Sequence, residues 1–322
     1  MGSLTDVPGI RVGHVHKTGD GWLTGVTVVL PPVGTVGSVD VQGGGPATHE
    51  TDALDPTTLV RQVDAVVLAG GSAYGLASAV GAQRWCEENG RGFAVPGGVV
   101  PIVPAAAIFD LGRGGDFAAR PTPEMGYEAA AAAAAQTEGH DVGRGNVGAG
   151  AGALIGRGQV KGGVGTASVT LDNGVVVGAL AVVNALGLPV GGPSETQGDF
   201  NRLNQRDGTS DHLPLNTTIV VVATNAVLDV AECKRTAAAS HAGIARALNP
   251  SHTLADGDTV FCLATGAVAL DRADEAARQL SLVTLQSAAA DVVRQAILDG
   301  VAHAEPVSTS AGDYGAYGGQ MR

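Results

Sequence analysis

The sequence predicts an α+β protein built as a layered sandwich, and two observations lead to this class. Apolar β-branched runs follow one another with turns between them, as at residues 168–184, while the helical segments are grouped and do not alternate strictly with strands. Strict alternation would instead indicate a doubly wound parallel sheet. No segment of linker-like composition divides the 322 residues, so we expect a single domain.

Apolar periodicity and turn residues predict the elements of the N-terminal half. The expected strands are residues 10–16, 26–30 and 63–69, followed by two short strands that prolines separate within residues 98–110. A glycine-rich turn after residue 69 leads into a helix that ends near Glu88. The alanine-rich residues 122–136 predict a second helix.

In the C-terminal half, the clearest local signal is Asp172-Asn173-Gly174, which is typical of a type I′ hairpin turn. This turn joins two predicted strands at residues 168–171 and 175–184. The elements expected after it are a strand that begins at Thr217, a helix at 227–248, a strand at 259–264, a helix at 273–298 and an irregular tail at 310–322.

Charge and hydropathy exclude two classes of partner. The net charge is −12 without a cluster of Lys or Arg, so neither nucleic acid nor an anionic membrane is an expected partner. No apolar run approaches the roughly 18 residues of a membrane-spanning helix, and the N-terminus does not resemble a signal peptide. Three widely spaced cysteines, Cys86, Cys233 and Cys262, indicate reduced thiols and a cytoplasmic protein.

His14 and His16 share one face of the first predicted strand, which is a possible start for a metal site. No third ligand follows at a recognisable spacing, so we expect packing roles for both and no metal.

The most unusual boundary in the chain lies between Asn216 and Thr217. A polar segment of more than 20 residues, 191–216, ends there, and an apolar β-branched run begins at once. Cleavage of the Asn216–Thr217 bond would place a free α-amine beside the Thr217 hydroxyl, which combines a nucleophile and its base in one residue. Without other information, the boundary is simply a loop that enters a strand.

Four further residues are candidates for a site with Thr217. Lys161 stands beside a glycine cluster, Asn184 ends a buried strand, and Asp256 and Asp258 flank Gly257 so that an extended backbone would present both carboxylates on one face. Each has a structural explanation, namely a solvated lysine, a capped asparagine or an Asp-Gly-Asp turn. Sequence spacing alone does not bring these residues together.

Blocks of residues along almost the whole chain resemble one known family. They are VPGIRVGH at 7–14, GGGPATHETD at 43–52, GGSAYGL at 70–76, VPIVPAAAIFDL at 100–111, NVGAGAGA at 146–153, KGGVGTAS at 161–168, VVNALG at 182–187, PLNTTIVVVAT at 214–224 and DGDTVFCLATG at 256–266. The chain resembles the self-processing N-terminal-nucleophile hydrolases of the D-aminopeptidase/β-peptidyl aminopeptidase family. Within that family it is most similar to the 6-aminohexanoate-oligomer endohydrolases, which degrade nylon oligomers.

The resemblance implies an αββα four-layer sandwich and self-cleavage into residues 1–216 and 217–322. It assigns Thr217 as the nucleophile, Lys161 and Asn184 as polar partners, and Asp256 and Asp258 as an acidic pair that orients the Thr217 amine and hydroxyl. A family tyrosine has two possible matches, of which Tyr127 is preferred and Tyr74 is the competitor. No metal or organic cofactor is required, and a homo-oligomer, either dimer or tetramer, is expected.

The aminopeptidase/esterase branch of that family uses a serine nucleophile, with serine and glutamate in place of the acidic pair. Thr217, Asp256 and Asp258 therefore favour an amide hydrolase that acts on oligoamides. Three alternatives remain: an aminopeptidase or esterase on small peptides or amides, an acyltransferase related to ornithine acetyltransferase, and an unprocessed binding protein without enzymatic activity.

Overall fold

The computed structural model describes residues 2–191 and 215–318. The N-terminal strands are β1 Arg11–Gly19, β2 Trp22–Leu30, β3 Val36–Val41, β4 Thr48–His49, β5 Val66–Ala69, β6 Phe93–Val95, β7 Gly98–Val100 and β8 Ala105–Ala107. The later strands are β9 Leu154–Ile155, β10 Val160–Lys161, β11 Val164–Thr170, β12 Val176–Asn184, β13 Leu188–Pro189, β14 Thr217–Ala226, β15 Leu248–Asn249, β16 Thr259–Val268, β17 Val307–Thr309 and β18 Gly312–Tyr314.

The described α-helices are α1 Ser72–Gly75, α2 Ala77–Glu88, α3 Pro123–Ala134, α4 Val230–Ala247 and α5 Glu275–Ala302. The short 3-10 helices among the described residues are Leu4–Asp6, Asp52–Leu54 and Gly148–Gly150. No helix within residues 2–191 and 215–318 has the length and apolar character needed to cross a membrane.

Two five-stranded sheets form the centre of the molecule. Sheet I has the order β1-β2-β5-β8-β4, and sheet II has the order β11-β12-β14-β16-β3. The pairs β5/β8 and β14/β16 are parallel, and all other pairs in the two sheets are antiparallel. The β14/β16 pair is important for the site because parallel strands place their N-terminal ends at the same edge.

The alternation of side chains along β14 shows how the layers pack. Ile219 and Val221 point into a core between the two sheets, whereas Val220 and Val222 point into a second core against α4 and α5. A third core lies between the outer face of sheet I and helices α2 and α3. The order of layers is therefore helix, sheet, sheet, helix, which confirms the predicted αββα sandwich.

Most of the predicted elements are present, and the differences have local causes. The hairpin around Asp172-Asn173-Gly174 is confirmed, and the strand after the polar segment begins at Thr217 as predicted. Helix α4 begins at Val230 and not at residue 227, because Asp229 and Glu232 form a capping box. Residues 192–214 of the polar segment lie outside the described residues.

The prediction of an irregular C-terminal tail over residues 310–322 was wrong for Gly312–Tyr314, which form β18. β17 and β18 form a hairpin that lies against other parts of the chain, since Thr309 Oγ1 donates to the carbonyl of Arg113 and the Lys161 amide donates to the carbonyl of Gly315. Contacts with distant segments stabilise this hairpin, and a glycine-rich sequence gives little local signal for them.

Candidate active site

Thr217 and Asn184 meet at one edge of sheet II. Thr217 is the first residue of β14, Asn184 is the last residue of β12, and the antiparallel register pairs them directly. Only 4% of Thr217 and none of Asn184 is exposed to solvent. Cross-strand partners in this arrangement have adjacent side chains. The fold thus brings together two of the residues that the sequence had only proposed separately.

The Thr217 hydroxyl lies against the peptide group that precedes it. Its Oγ1 donates a close hydrogen bond to the carbonyl oxygen of Asn216. The same carbonyl accepts a hydrogen bond of 2.9 Å from the backbone N–H of Gly257, and the Asn216 amide donates to the carbonyl of Ala255 at 3.0 Å. The Asn216–Thr217 bond is therefore held on both sides, with a hydroxyl and an N–H donor on the carbonyl that would be attacked.

Gly257 is required at its position for a steric reason. A Cβ atom added to it would lie 2.7 Å from Thr217 Oγ1 and 3.0 Å from the carbonyl oxygen of Gly45. Both distances are shorter than an ordinary carbon–oxygen contact, and the second oxygen belongs to backbone that does not move easily. The absence of a side chain at residue 257 therefore leaves the space in which the threonine hydroxyl lies.

We expect Gly257→Ala to slow any reaction of the Thr217 hydroxyl because the new methyl group displaces it. Gly98→Ala is a matched control, since a Cβ at Gly98 meets no atom within 4 Å. The measurement is the rate of cleavage at Thr217. Each variant is made by cell-free translation, and denaturing electrophoresis of samples taken over time shows how fast the full-length chain is divided. Equal rates for the wild type and Gly257→Ala would contradict this account.

Asp256 and Asp258 are both buried at the site, but their carboxylates bind different groups. Asp256 Oδ2 accepts from the Thr253 amide at 2.8 Å, whereas Asp258 Oδ1 accepts from the Thr218 amide at 2.7 Å. In the uncut chain neither carboxylate hydrogen-bonds the Thr217 hydroxyl, which is directed at Asn216. Burial, with the Asp258 charge second, raises the pKa of Asp256. The protonated form of Asp256 is therefore favoured more strongly than that of an aspartate in water.

The glycine loop at residues 43–45 supports the acidic segment. The amides of Gly44 and Gly45 donate to the carbonyls of Thr253 and Asp256 at 3.2 and 2.8 Å. A Cβ at Gly43 would lie 2.3 Å from the Asp256 carbonyl oxygen, so the two backbones approach more closely than a side chain permits. This explains the role of a loop that the sequence showed only as polar and glycine-rich.

His252 is a site residue that the sequence analysis missed. Its Nδ1 lies 2.9 Å from Asp258 Oδ2, and its backbone amide donates to the same oxygen at 2.9 Å. The ring of His241 packs edge-on against it, with 4.9 Å between the ring centroids. Although burial favours the neutral ring, the contact with Asp258 raises the pKa of His252 above its usual value of 6.5. His252 stands between Ser251 and Thr253 and belongs to no recognisable motif, so the sequence alone does not mark it as a site residue.

The raised pKa predicts a pH-dependent contribution to stability. The folded state favours the protonated ring, so the stabilisation is complete below pH 6.5 and is lost as the pH rises through the folded-state pKa. We expect His252→Gln to lower the free energy of unfolding more at pH 6 than at pH 9, measured by urea titration at both pH values. His49→Gln, at an exposed histidine, is the control. A difference that grows toward pH 9 would contradict the assignment.

Lys161 is fully buried and not solvated as one sequence interpretation allowed. Its Nζ donates to the carbonyls of Gly150, Ala151 and Ala153 at 3.3, 2.8 and 2.7 Å. Three acceptors match the three protons of an ammonium group. Burial, and then the charge of Arg113, lower the pKa of Lys161 to about 7. Lys161 therefore orders the 150–153 turn. Because its pKa is about 7, the fraction of Lys161 that carries a positive charge changes near neutral pH.

Arg113 and Asp110 complete the polar interior and were also missed. Arg113 Nη1 donates to Asn184 Oδ1 and to the Gly152 carbonyl, and burial lowers the pKa of Arg113 to about 10. Asp110 Oδ1 accepts from the Gly71 amide at 2.6 Å, and burial raises the pKa of Asp110. Asp110 lies within the block 100–111, but nothing in that block distinguishes it from an ordinary loop aspartate.

Neither candidate tyrosine joins these groups. Tyr127 is on α3 in the outer helical layer, where its Oη donates to Glu88 on α2 at 2.7 Å and Arg84 stacks on its ring. Tyr74 is 57% exposed, with the Arg120 guanidinium 3.9 Å from its ring centroid. The structure thus places Tyr127 away from Thr217 because helix α3 packs on the far face of sheet I.

His14 and His16 bind local partners. His14 Nδ1 lies 2.9 Å from Thr27 Oγ1, and His16 Nδ1 accepts from the Gly148 amide at 3.4 Å. Within the part of the chain that the structure describes, no three side chains of His, Cys, Asp or Glu are grouped as a metal site requires.

The family model described as peptidase family S58 matches residues 2–314. The chain belongs to peptidase family S58. This confirms the family that the sequence blocks indicated, and it establishes the protein as a hydrolase.

Relatives of the S58 chain fall into two groups by name. An uncharacterized aminopeptidase of Mycobacterium tuberculosis is 52% identical, covering 96% of this chain and 96% of that protein. A similar protein of Mycobacterium leprae is 50% identical, with 96% and 92% covered. A 6-aminohexanoate-oligomer endohydrolase of Paenarthrobacter ureafaciens is 27% identical, with 91% and 84% covered.

Two solved structures share the fold of this S58 protein. The L-aminopeptidase D-Ala-esterase/amidase of Ochrobactrum anthropi, whose title describes a variant of the Ntn hydrolase fold, superposes with a TM-score of 0.74 at 21% identity. The superposed region covers 98% of this chain and 90% of the Ochrobactrum anthropi chain. A β-aminopeptidase of a Burkholderia species gives a TM-score of 0.69 at 23% identity with the same coverage. The predicted N-terminal-nucleophile-like fold is thereby confirmed.

Proposed function

We propose that this S58 protein hydrolyses amides with Thr217 as an N-terminal nucleophile, after cleavage of its own Asn216–Thr217 bond. The observation that carries the proposal is the contact between the Thr217 hydroxyl and the Asn216 carbonyl, on which the Gly257 N–H also converges at 2.9 Å. A nucleophile next to a carbonyl with a donor on its oxygen is the arrangement that acyl transfer needs.

In the proposed self-cleavage, Thr217 Oγ1 attacks the Asn216 carbonyl carbon and its proton passes to the Thr217 nitrogen. The Gly257 N–H stabilises the charge on the carbonyl oxygen while the C–N bond breaks and an ester forms. The α-amine of Thr217 is free once this ester has formed. Water then hydrolyses the ester, which leaves a carboxylate on Asn216 and restores the Thr217 hydroxyl.

The freed α-amine is the base for the second acyl transfer. Its reference pKa is about 7.7–8.0, so roughly a tenth to a sixth of the amine is unprotonated at pH 7, and this fraction rises as the pH approaches 8. It accepts the Thr217 hydroxyl proton during attack on a substrate amide and returns a proton to the leaving amine. Asn184, paired with Thr217 across the sheet, has an amide nitrogen available to the oxyanion. Asp256 and Asp258 flank the site and hold the adjoining backbone.

Linear oligoamides such as 6-aminohexanoate oligomers are the proposed substrates. The support is the combination of Thr217 with Asp256 and Asp258, together with relatives named 6-aminohexanoate-oligomer endohydrolases at 27–28% identity. Aminopeptidase activity on small peptides is the second candidate, because relatives at 50–52% identity are named aminopeptidases. Hydrolysis rates on 6-aminohexanoate trimer and on amino-acid p-nitroanilides distinguish the two candidates.

Denaturing electrophoresis of the purified protein tests the self-cleavage. We expect two chains that correspond to residues 1–216 and 217–322, with Thr217 as the N-terminal residue of the smaller one. A protein that hydrolyses amides while it remains a single chain would refute the mechanism.

A further inference from the structure

In the Asn184 side-chain amide, the oxygen accepts hydrogen bonds and the nitrogen has no partner among the described residues. Its Oδ1 accepts from the Leu154 amide at 3.0 Å and from Arg113 Nη1. Both partners can only donate, so the atom they contact must be the amide oxygen, which fixes the orientation of the group. Nδ2 is buried and, among residues 2–191 and 215–318, has no acceptor.

A buried donor without an acceptor destabilises a protein, so its persistence needs an explanation. Asn184 faces Thr217 in the strand register, which places the unused donor at the edge of sheet II where the hydroxyl lies. If the amide were rotated by 180°, its oxygen would face the oxyanion and repel it. The orientation of this one amide therefore decides whether Asn184 helps or hinders the reaction.

We infer that Arg113 is the positioning residue of the oxyanion donor: by binding the Asn184 oxygen, it leaves the amide nitrogen for the substrate carbonyl that Thr217 attacks. This rests on the proposed function of Thr217. Arg113 itself does not touch the reacting atoms and acts through Asn184.

Arg113 is held through both its guanidinium and its backbone. Nη1 also donates to the Gly152 carbonyl at 2.6 Å. The Arg113 amide donates to the carbonyl of Asp110 at 3.2 Å, and its carbonyl accepts from Thr309 Oγ1 at 2.8 Å. Thr309 belongs to the β17–β18 hairpin, which follows the proposed cut, whereas Arg113 precedes it. A contact across the cut therefore holds the backbone of Arg113 after the chain is divided.

A guanidinium suits this position better than an ammonium group. The pKa of Lys161 is lowered to about 7, whereas that of Arg113 is lowered only to about 10, so Arg113 stays charged at neutral and mildly alkaline pH. A guanidinium that stays charged at these pH values donates hydrogen bonds and does not accept them, so it holds the Asn184 oxygen where a free α-amine acts as base.

A double-mutant cycle on the full-length protein tests the inference, with kcat and KM on 6-aminohexanoate trimer as the kinetic readout. We expect Arg113→Met to lower kcat at least about tenfold with little change in KM, and Arg113→Lys to lower it less. In an Asn184→Ala background, Arg113→Met should change kcat by less than about twofold, because the group that it positions is gone. Arg144→Met, which breaks the Arg144–Asp299 ion pair of 2.9 Å, is the control for loss of an interior arginine.

Equal losses from Arg113→Met in both backgrounds would overturn the inference, since a purely structural role acts independently of Asn184. A crystal structure of Arg113→Met gives a second test that needs no activity. We expect the Asn184 amide to rotate away from its present position, and an unmoved amide would also overturn the inference. Absence of cleavage at Thr217 would refute the proposed function instead, and the crystallographic test would still decide the role of Arg113.

Discussion

Thr217→Ala is expected to remain a single chain of 322 residues and to lose amide hydrolysis by more than about 10⁴-fold in kcat. The substitution removes the hydroxyl that contacts the Asn216 carbonyl and leaves the strand backbone unchanged. Thr217→Ser keeps a hydroxyl and should still be cut. Electrophoresis, N-terminal sequencing and amide hydrolysis assays on the same preparations measure all three outcomes.

The neighbouring threonine provides a matched control. Thr218 is equally buried, and its hydroxyl has no hydrogen-bond partner among the described residues. Thr218→Val preserves its shape and the amide that donates to Asp258. It should be cleaved and active. Cleavage of Thr217→Ala at the same bond, or loss of cleavage in Thr218→Val with the fold retained, would show that the hydroxyl of Thr217 is not the nucleophile.

Asn184→Asp is expected to lower kcat about 10²–10³-fold while the chain is still cleaved. Aspartate keeps an oxygen for Arg113 and for the Leu154 amide, but it replaces the free N–H donor with a second acceptor. Self-cleavage should continue because the Gly257 N–H, and not Asn184, holds the Asn216 carbonyl. The two acyl transfers thus depend on different donors, and kinetic assays after electrophoresis separate them.

Asn225→Asp is the control for this substitution. Asn225 is also buried on β14, but both ends of its amide are occupied, by the Val176 amide and the Gly174 carbonyl. It should lose stability and keep its kcat. An Asn184→Asp enzyme with unchanged kcat would exclude Asn184 as the oxyanion donor, and an uncut Asn184→Asp chain would contradict the division between the two donors.

The sequence predicted most of the strands and helices of this fold because the signals for them are local. The Asp172-Asn173-Gly174 turn and the start of β14 at Thr217 depend on residues next to one another, and the structure has both. The C-terminal hairpin was not readable because it forms only against Arg113 and Lys161, which are distant in the chain. Tyr127 was misplaced for a related reason: its motif shows a helix but not the face of the sheet on which that helix packs.

The sequence by itself determined the layered α+β class, the family, and the residue types at Thr217, Asn184, Lys161, Asp256 and Asp258. Only the tertiary structure decided what each of these side chains binds. The direction of the Thr217 hydroxyl depends on a strand register, and the orientation of the Asn184 amide depends on an arginine 71 residues away. A sequence records which donors and acceptors exist, whereas burial and packing between distant segments decide which of them remain unpaired.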